Sequence, residues 1–276
     1  MWNKDNICKL FDKEGPPVTP TESSAARSGT QSIQRIFSVI EVLAAHPDGV
    51  SLQQLCAKTG LAKSTAHRML ASLVELGYAV QDSFSSRYRL TLKLFELGSG
   101  VVNGMDILAV ARPHLDRLSR HTGEAVHLVL RDGVDIVYIH KSEASGARRM
   151  SSQVGLRSPL FCTGVGKAIL ATLPFEEVEK IWKKSHVHRF TEHTIVDFSQ
   201  LCEQLKAVRS KGYAIDDEEN ELGIRCVAVA LPGPGGQAEA AFSISSLVPH
   251  MSEERIAEIA RISLETRAAI LRDLGL

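Results

Sequence analysis

The sequence is poor in cysteine, and the few it has form no pattern in which they could act together. Cys8, Cys56, Cys162, Cys202 and Cys226 are odd in number, widely spaced and without a CxxC pair. A disulfide framework and a structural zinc site are both disfavoured, as in a reducing compartment. Also missing is any apolar run near the roughly 20 residues that cross a bilayer. Met1 to Phe11 carries charge but no stretch apolar enough for a secretory signal. The chain is therefore expected in the cytoplasm, with no membrane partner. Net charge is absent too: 32 Lys and Arg balance 32 Asp and Glu, so composition alone announces no nucleic acid. There is no internal repeat. What remains is an ordinary globular balance, 44% hydrophobic and 23% charged over 276 residues, long enough for about two domains.

The distribution of charge says more than its sum. Between Lys58 and Lys93, six basic residues (Lys58, Lys63, Arg68, Arg87, Arg89, Lys93) stand against two acids, Glu75 and Asp82. Residues 1 to about 30 mix Pro, Ser, Thr, Gly and charge and read as a flexible tail. From Ser32 onward Ile33, Ile36, Phe37, Ile40 and Leu43 recur at helical spacing, up to Pro47. Ser51 and Gln54 form a capping box for a second helix. Its buried face is Leu52, Leu55 and Cys56, and its stop is Gly60. A third helix is predicted from Lys63 to Leu76, ended by Gly77. Ala66, Met69, Leu70, Leu73 and Leu76 line its apolar side. Ser64, Arg68, Ser72 and Glu75 lie opposite, with Thr65 and His67 on the borders. Tyr78 to Gln81 and Arg87 to Leu90 read as a hairpin, a candidate wing.

A helix ending in Gly, a short turn and a second helix with a small polar outer face has the sequence shape of a helix-turn-helix. Lys63 and Arg68 can reach phosphates or guanine edges. Ser64 and Thr65 are short enough to let the helix approach the bases. Arg87 on the wing can contact phosphate or the minor groove. The alternative is a helical hairpin whose polar face merely meets water.

A short helix from Lys93 to Leu97 and the glycines Gly98, Gly100 and Gly104 read as an interdomain linker. Beyond it, helices are predicted over 107–121, 164–173, 176–184 and 199–211, with a long last helix opened by Ser252, Glu253 and Glu254. Strand pairs are predicted at 125–131 with 134–140, around Asp132-Gly133, and at 225–231 with 238–245. Hairpin strands with helices grouped between them predict an α+β domain with an antiparallel sheet.

These residues resemble the IclR-type transcription regulators. The run from Gly60 to Leu70 is similar to that family's helix-turn-helix. Leu73 to Tyr78, Tyr88-Arg89-Leu90 and Leu97-Gly98 are similar to its helix end, wing and linker. Ala62 departs from the pattern, which often has Pro or a capping Ser there. In the C-terminal part the resemblance rests on Pro159 to Ala168, Asp216 to Asn220, Gly223 to Cys226 and Phe242 to Ser245. It implies a winged helix-turn-helix at 31–91, a linker at 92–105 and a GAF-like effector-binding domain at 106–276. It also implies operator DNA as partner, and homodimers or homotetramers. DNA contacts then fall on Lys63, Ser64, Thr65, His67, Arg68 and Arg87. Polar pocket positions fall on Asp216, Cys226, Ser243 and Ser245, and apolar or backbone positions on Met150, Gly164, Val165 and Ile224.

The chemistry of those positions suits a small carboxylate. Gly164-Val165-Gly166 opens a helix, whose free N–H groups favour an anion. Ser243 and Ser245 share one face of a strand. Asp216 would repel a carboxylate but can accept from ligand hydroxyls. Three segments (88–98, 136–141 and 159–170) look most similar to the branch of the family that represses sugar-acid catabolism, such as the 2-keto-3-deoxygluconate repressors. An aromatic acid is the alternative, against which stands the lack of an aromatic residue in this pocket list. Other readings carry less. Gly164-Val165-Gly166-Lys167 resembles the end of a phosphate-binding loop but lacks its first glycine and its Ser or Thr. His186, His188 and His193 are adjacent in sequence only, so no metal and no cofactor is expected. An enzyme using Cys162 or Cys226 as nucleophile is the second class of function, without an orienting third group.

Overall fold

The computed structural model describes residues 24–103, 106–143 and 152–276. They form two compact units, dividing after residue 103.

The N-terminal unit opens with helix α1 (Ser24–Ala44). This helix starts earlier than the apolar pattern suggested, so residues 24–30 are helical rather than tail. The rest of the predicted tail lies outside the described residues. Val39 and Leu43 are buried, but Ile33 and Phe37 are more than half exposed, so the apolar pattern overestimates the core. Helix α2 (Leu52–Thr59) has the predicted capping box. Ser51 Oγ accepts from Gln54 N–H at 3.2 Å, and Gln54 Oε1 accepts from Ser51 N–H at 3.1 Å. Gly60 closes it at φ 69°, a conformation a side chain would strain. Helix α3 (Lys63–Glu75) buries Ala66, Leu70 and Leu73 against α1 and α2. Leu76, read as part of that face, is exposed past the helix end.

Strands β1 (Ala79–Gln81) and β2 (Tyr88–Leu90) pair antiparallel as the expected hairpin. Tyr88 and Val50 exchange backbone hydrogen bonds of 2.9 Å, tying the hairpin to the chain before α2. Helix α4 (Lys93–Asn103) is longer than predicted and contains Gly98 and Gly100. Two glycines lower helix propensity but do not forbid a helix.

The C-terminal unit is built on a six-stranded antiparallel sheet of order β5-β4-β3-β8-β7-β6. Its strands are β3 (Ala125–Asp132), β4 (Asp135–Ser142), β5 (Arg157–Pro159), β6 (Ala214–Asp217), β7 (Ile224–Pro232) and β8 (Ala238–Leu247). The edge strands β5 and β6 were not foreseen: both are short, and β6 ends in two acids. Helices α5 (Asp106–Thr122) and α9 (Glu253–Asp273) cover one face, over Val126, Leu128, Val227, Val229, Phe242 and Ile244. Helix α6 (Gly164–Leu170), with α7 (Phe175–Lys184) and α8 (Phe198–Lys211) behind it, covers the other. The period-2 alternation of β8 decides what each face receives: Phe242 and Ile244 go to one, Ala241, Ser243 and Ser245 to the other. Among the described residues no helix is long and apolar enough to cross a membrane.

Candidate functional site

On α3 the side chains of Lys63, Ser64, His67 and Arg68 are exposed and Thr65 is half-buried. Ala62 precedes the helix without a side-chain cap, so the first N–H groups of α3 are free to meet an anion such as phosphate. The basic residues of the region divide into two sets. Lys58, Lys63, Arg68 and Arg89 are exposed and make no ion pair among the described residues. Arg87 instead donates from its guanidinium to the Gly49 carbonyl at 3.1 Å. Lys93 donates to the Leu76 carbonyl at 2.8 Å, closing the C-terminus of α3, and lies over the Tyr78 ring at 4.7 Å. Arg87 and Lys93 thus brace the wing and helix rather than standing free. The wing loop is closed by Asp82, whose Oδ1 accepts from the N–H groups of Phe84 (3.2 Å) and Ser85 (2.8 Å) and from the Ser85 hydroxyl (2.8 Å). Those bonds, led by the Ser85 backbone N–H, hold its carboxyl below the usual range.

In the C-terminal unit the sheet and α6 enclose a cavity with about 60 Å³ open to the centres of water-sized molecules. Gly164, Val165, Asp216, Ile224, Cys226, Ser243 and Ser245 all line it. Met150 lies outside the described residues. Register explains the grouping. Asp216 pairs with Cys226 and Cys226 with Ser245, while Ala228 pairs with Ser243 and Ser243 with His127. Two adjacent rows across the sheet thus present their side chains to α6. Gly164 lets the helix approach: a Cβ there would stand 3.3 Å from the Ala228 Cβ and 3.4 Å from the Asp216 Cβ.

Sequence reasoning missed His127, Tyr138, Ser158, Thr163 and Asn220, which also line the cavity. His127 is buried. Its Nε2 is 2.8 Å from the Ser152 hydroxyl, its Nδ1 is 3.4 Å from the Ser245 hydroxyl, and its ring meets that of Tyr138 edge-on. Burial pushes its pKa down to about 4, aided by the charge of Lys141, so the imidazole is neutral. Tyr138 corrects an expectation: the pocket does contain an aromatic residue, so its lining no longer speaks against an aromatic acid.

The expected anion seat at the start of α6 is smaller than the sequence suggests. Thr163 Oγ1 already accepts from Gly166 N–H at 3.1 Å, and the helix has only seven residues. Lys167 does not reach the cavity as a phosphate-loop lysine would. It is fully buried, paired with Glu219 and donating to Gln204 Oε1 at 2.8 Å. Asp216 Oδ1 accepts from the N–H groups of Glu219 (2.9 Å) and Asn220 (3.4 Å). The thiols of Cys162 and Cys226 are both held well above the ordinary range, by burial first and the charge of Asp216 second. Cys162 is buried and Cys226 half-buried, and thiols held protonated without a base are poor nucleophiles. His186, His188 and His193 are brought into no metal-holding group among the described residues.

Two family descriptions match this chain: "IclR helix-turn-helix domain" over residues 32–83 and "Bacterial transcriptional regulator IclR C-terminal" over residues 99–272. The chain belongs to the IclR family of transcriptional regulators. It is 37% identical over 227 residues to the HTH-type transcriptional regulator KdgR of Escherichia coli (strain K12), covering 82% of this chain and 86% of that one. It is 36% identical to KdgR of Dickeya chrysanthemi over 88% of this chain and 79% of that one. The crystal structure of the Thermotoga maritima IclR superposes with a TM-score of 0.77 at 33% identity, over 90% of this chain and all of that one. Membership in the IclR family sets the enzyme reading aside: its members act by binding DNA, and neither thiol has the setting of a nucleophile.

Proposed function

We propose that this IclR-family protein is a repressor whose C-terminal cavity takes a small hydroxylated carboxylate of the sugar-acid class, and whose α3 and wing hold operator DNA. The observation that carries the effector reading is the convergence of Ser243, Ser245, Ser158 and Tyr138 hydroxyls on one small cavity. A ligand rich in hydroxyls leaves none of these groups unpaired on binding. The likeness to KdgR proteins over most of the chain supports the same class. A second reading, an aromatic acid, is favoured by the Tyr138 ring beside His127.

Base reading falls to Lys63, Ser64, Thr65, His67 and Arg68 on α3, with Arg87 supporting the wing. The division into a DNA-binding part at 31–91, a linker at 92–105 and an effector-binding part from 106 follows. The cytoplasm is where such a protein meets its operator. Exposed apolar side chains on α1 (Ile33, Phe37) and at and before α4 (Leu92, Phe95, Leu97) support self-association into a homodimer or homotetramer. The effector acts by binding the DNA-competent and incompetent arrangements with different affinity. Calorimetry with 2-keto-3-deoxygluconate, D-gluconate, D-glucuronate and 4-hydroxybenzoate tests the class. Binding of a sugar acid with altered operator affinity is expected. Binding of the aromatic acid alone overturns the sugar-acid reading.

A further inference from the structure

Among the described residues no lysine or arginine lines the cavity. The nearest buried cation, Lys167, is spent on Glu219 and Gln204, and His127 is neutral. What the cavity does hold is acid: Asp216 and Glu221 both line it. Asp216 is 5% exposed. Its Oδ1 is held by two backbone N–H groups, while Oδ2 makes no hydrogen bond among the described residues and the side chain faces the cavity.

The groups around it come from every neighbouring element. Lys167 faces it from α6 and Cys162 from the segment before α6. Glu219 and Glu221 come from the loop after β6, Cys226 from β7, Tyr138 from β4 and His127 from β3. Two acids oppose one cation that is already paired. On the carboxylate reading, a ligand carboxylate placed at Cys226 and Ser245 would sit one strand from Asp216, since Asp216 pairs with Cys226 and Cys226 with Ser245, leaving Ser243, Ser158 and Tyr138 for the ligand's hydroxyls. Two carboxylates this close in a desolvated site cannot both stay ionised; they hold one proton between them.

We propose that binding of a carboxylate effector takes up one proton from solvent onto Asp216 Oδ2, and that the resulting hydroxyl donates a hydrogen bond to the ligand. No bond in the ligand breaks. Asp216 is therefore a specificity device: it admits an acid only together with a proton. This rests on the carboxylate reading above. The free protein is poised for the step. Burial raises the Asp216 carboxyl to about 7, against the pull of Lys167 and with the push of Glu219.

The test is calorimetry of the full chain with 2-keto-3-deoxygluconate and D-gluconate, with neutral D-glucose as control, at pH 6 and pH 8. Each titration is run in two buffers of different ionisation heat, phosphate and Tris at pH 8 and phosphate and bis-Tris at pH 6, and the difference counts the protons. A sugar acid is ionised at both values, so a proton taken up belongs to the protein. Uptake of about one proton per site at pH 8 and a Kd about tenfold weaker there than at pH 6 are expected. Asp216→Asn, which keeps a donor in place of the acid, should bind with no uptake and a flat Kd. An acid that binds the wild type at pH 8 with no proton uptake overturns the proposal and leaves the carboxylate reading standing. So does uptake that survives in Asp216→Asn. Failure of both acids to bind at either pH, with or without binding of D-glucose, overturns the two together.

Discussion

Gly166 lies against the backbone of Leu160, so close that a Cβ at position 166 would stand 2.1 Å from the Leu160 carbonyl oxygen and 2.5 Å from its Cα. An alanine in a helix is ordinarily better than a glycine by about 0.5–1 kcal/mol. Here the sign reverses, because the obstruction is backbone and cannot rotate away. Gly166→Ala should destabilise the C-terminal unit by about 2–3 kcal/mol or more. Thermal unfolding followed by near-UV circular dichroism measures it; an unchanged midpoint would mean that α6 stands farther from Leu160.

Lys167 and Glu219 are a buried pair joining α6 to the loop after β6, and Glu219 Oε2 has no hydrogen-bond partner among the described residues. Lys167→Met should cost about 3–5 kcal/mol at pH 8, because it strands a buried carboxylate. Burial already raises the Glu219 carboxyl, against the pull of Lys167. Without the lysine it rises further, so the penalty shrinks as pH falls and Glu219 takes its proton. Denaturant titrations at pH 8 and pH 5 compare the two; a penalty that grows toward pH 5 contradicts this account.

Arg68 and Arg87 should behave differently. Arg68→Ala removes an exposed cation on the outer face of α3 and should weaken operator binding by about 1–3 kcal/mol if it reads a base. Arg87→Ala removes the brace to Gly49. It should loosen the wing and speed amide exchange at Val50 and Tyr88. Fluorescence anisotropy at fixed salt and hydrogen exchange separate the two. Equal loss of operator affinity with unchanged exchange would place Arg87 among the DNA contacts instead.

Ser243→Ala with Ser245→Ala should abolish the ligand response while operator binding persists, since both hydroxyls face the cavity and both positions keep small side chains. A reporter assay with purified-protein binding as control measures it. A double variant that still responds to a sugar acid would move the ligand's polar contacts elsewhere.

What the sequence made legible was local. The capping box of Ser51 and Gln54 depends on residues three apart, and Gly60 and Gly77 mark helix ends by backbone conformation alone. Ser243 and Ser245 were readable as a pair because a strand alternates. What stayed hidden depends on residues far apart. Nothing near Lys167 announces Glu219 as its partner, and His127 reaches Ser243 only through the register of β3 against β8. Gly98 and Gly100 misled because a glycine weakens a helix without excluding it. Strand β6 escaped because four residues ending in Asp216-Asp217 look like a polar loop until β7 pairs with them.

His127 gives the cavity a stability signature in acid. Its imidazole is 3% exposed, and burial lowers its folded pKa to about 4 from an ordinary 6.5. Between those values the unfolded chain binds a proton that the folded chain refuses. Stability is therefore intact above pH 6.5 and lost as pH falls toward 4, by about 3 kcal/mol in all. Other carboxylates titrate in the same window, so the informative quantity is the difference between wild type and His127→Gln. Glutamine keeps a donor and an acceptor but has no proton to gain. Wild type should lose about 2–3 kcal/mol relative to the variant between pH 7 and pH 4.5, measured by urea unfolding at each pH. The resonance of the His127 ring should show no titration above pH 5. Parallel stability curves, or a ring that titrates near 6.5, would mean that water reaches His127 and that the cavity is open around it.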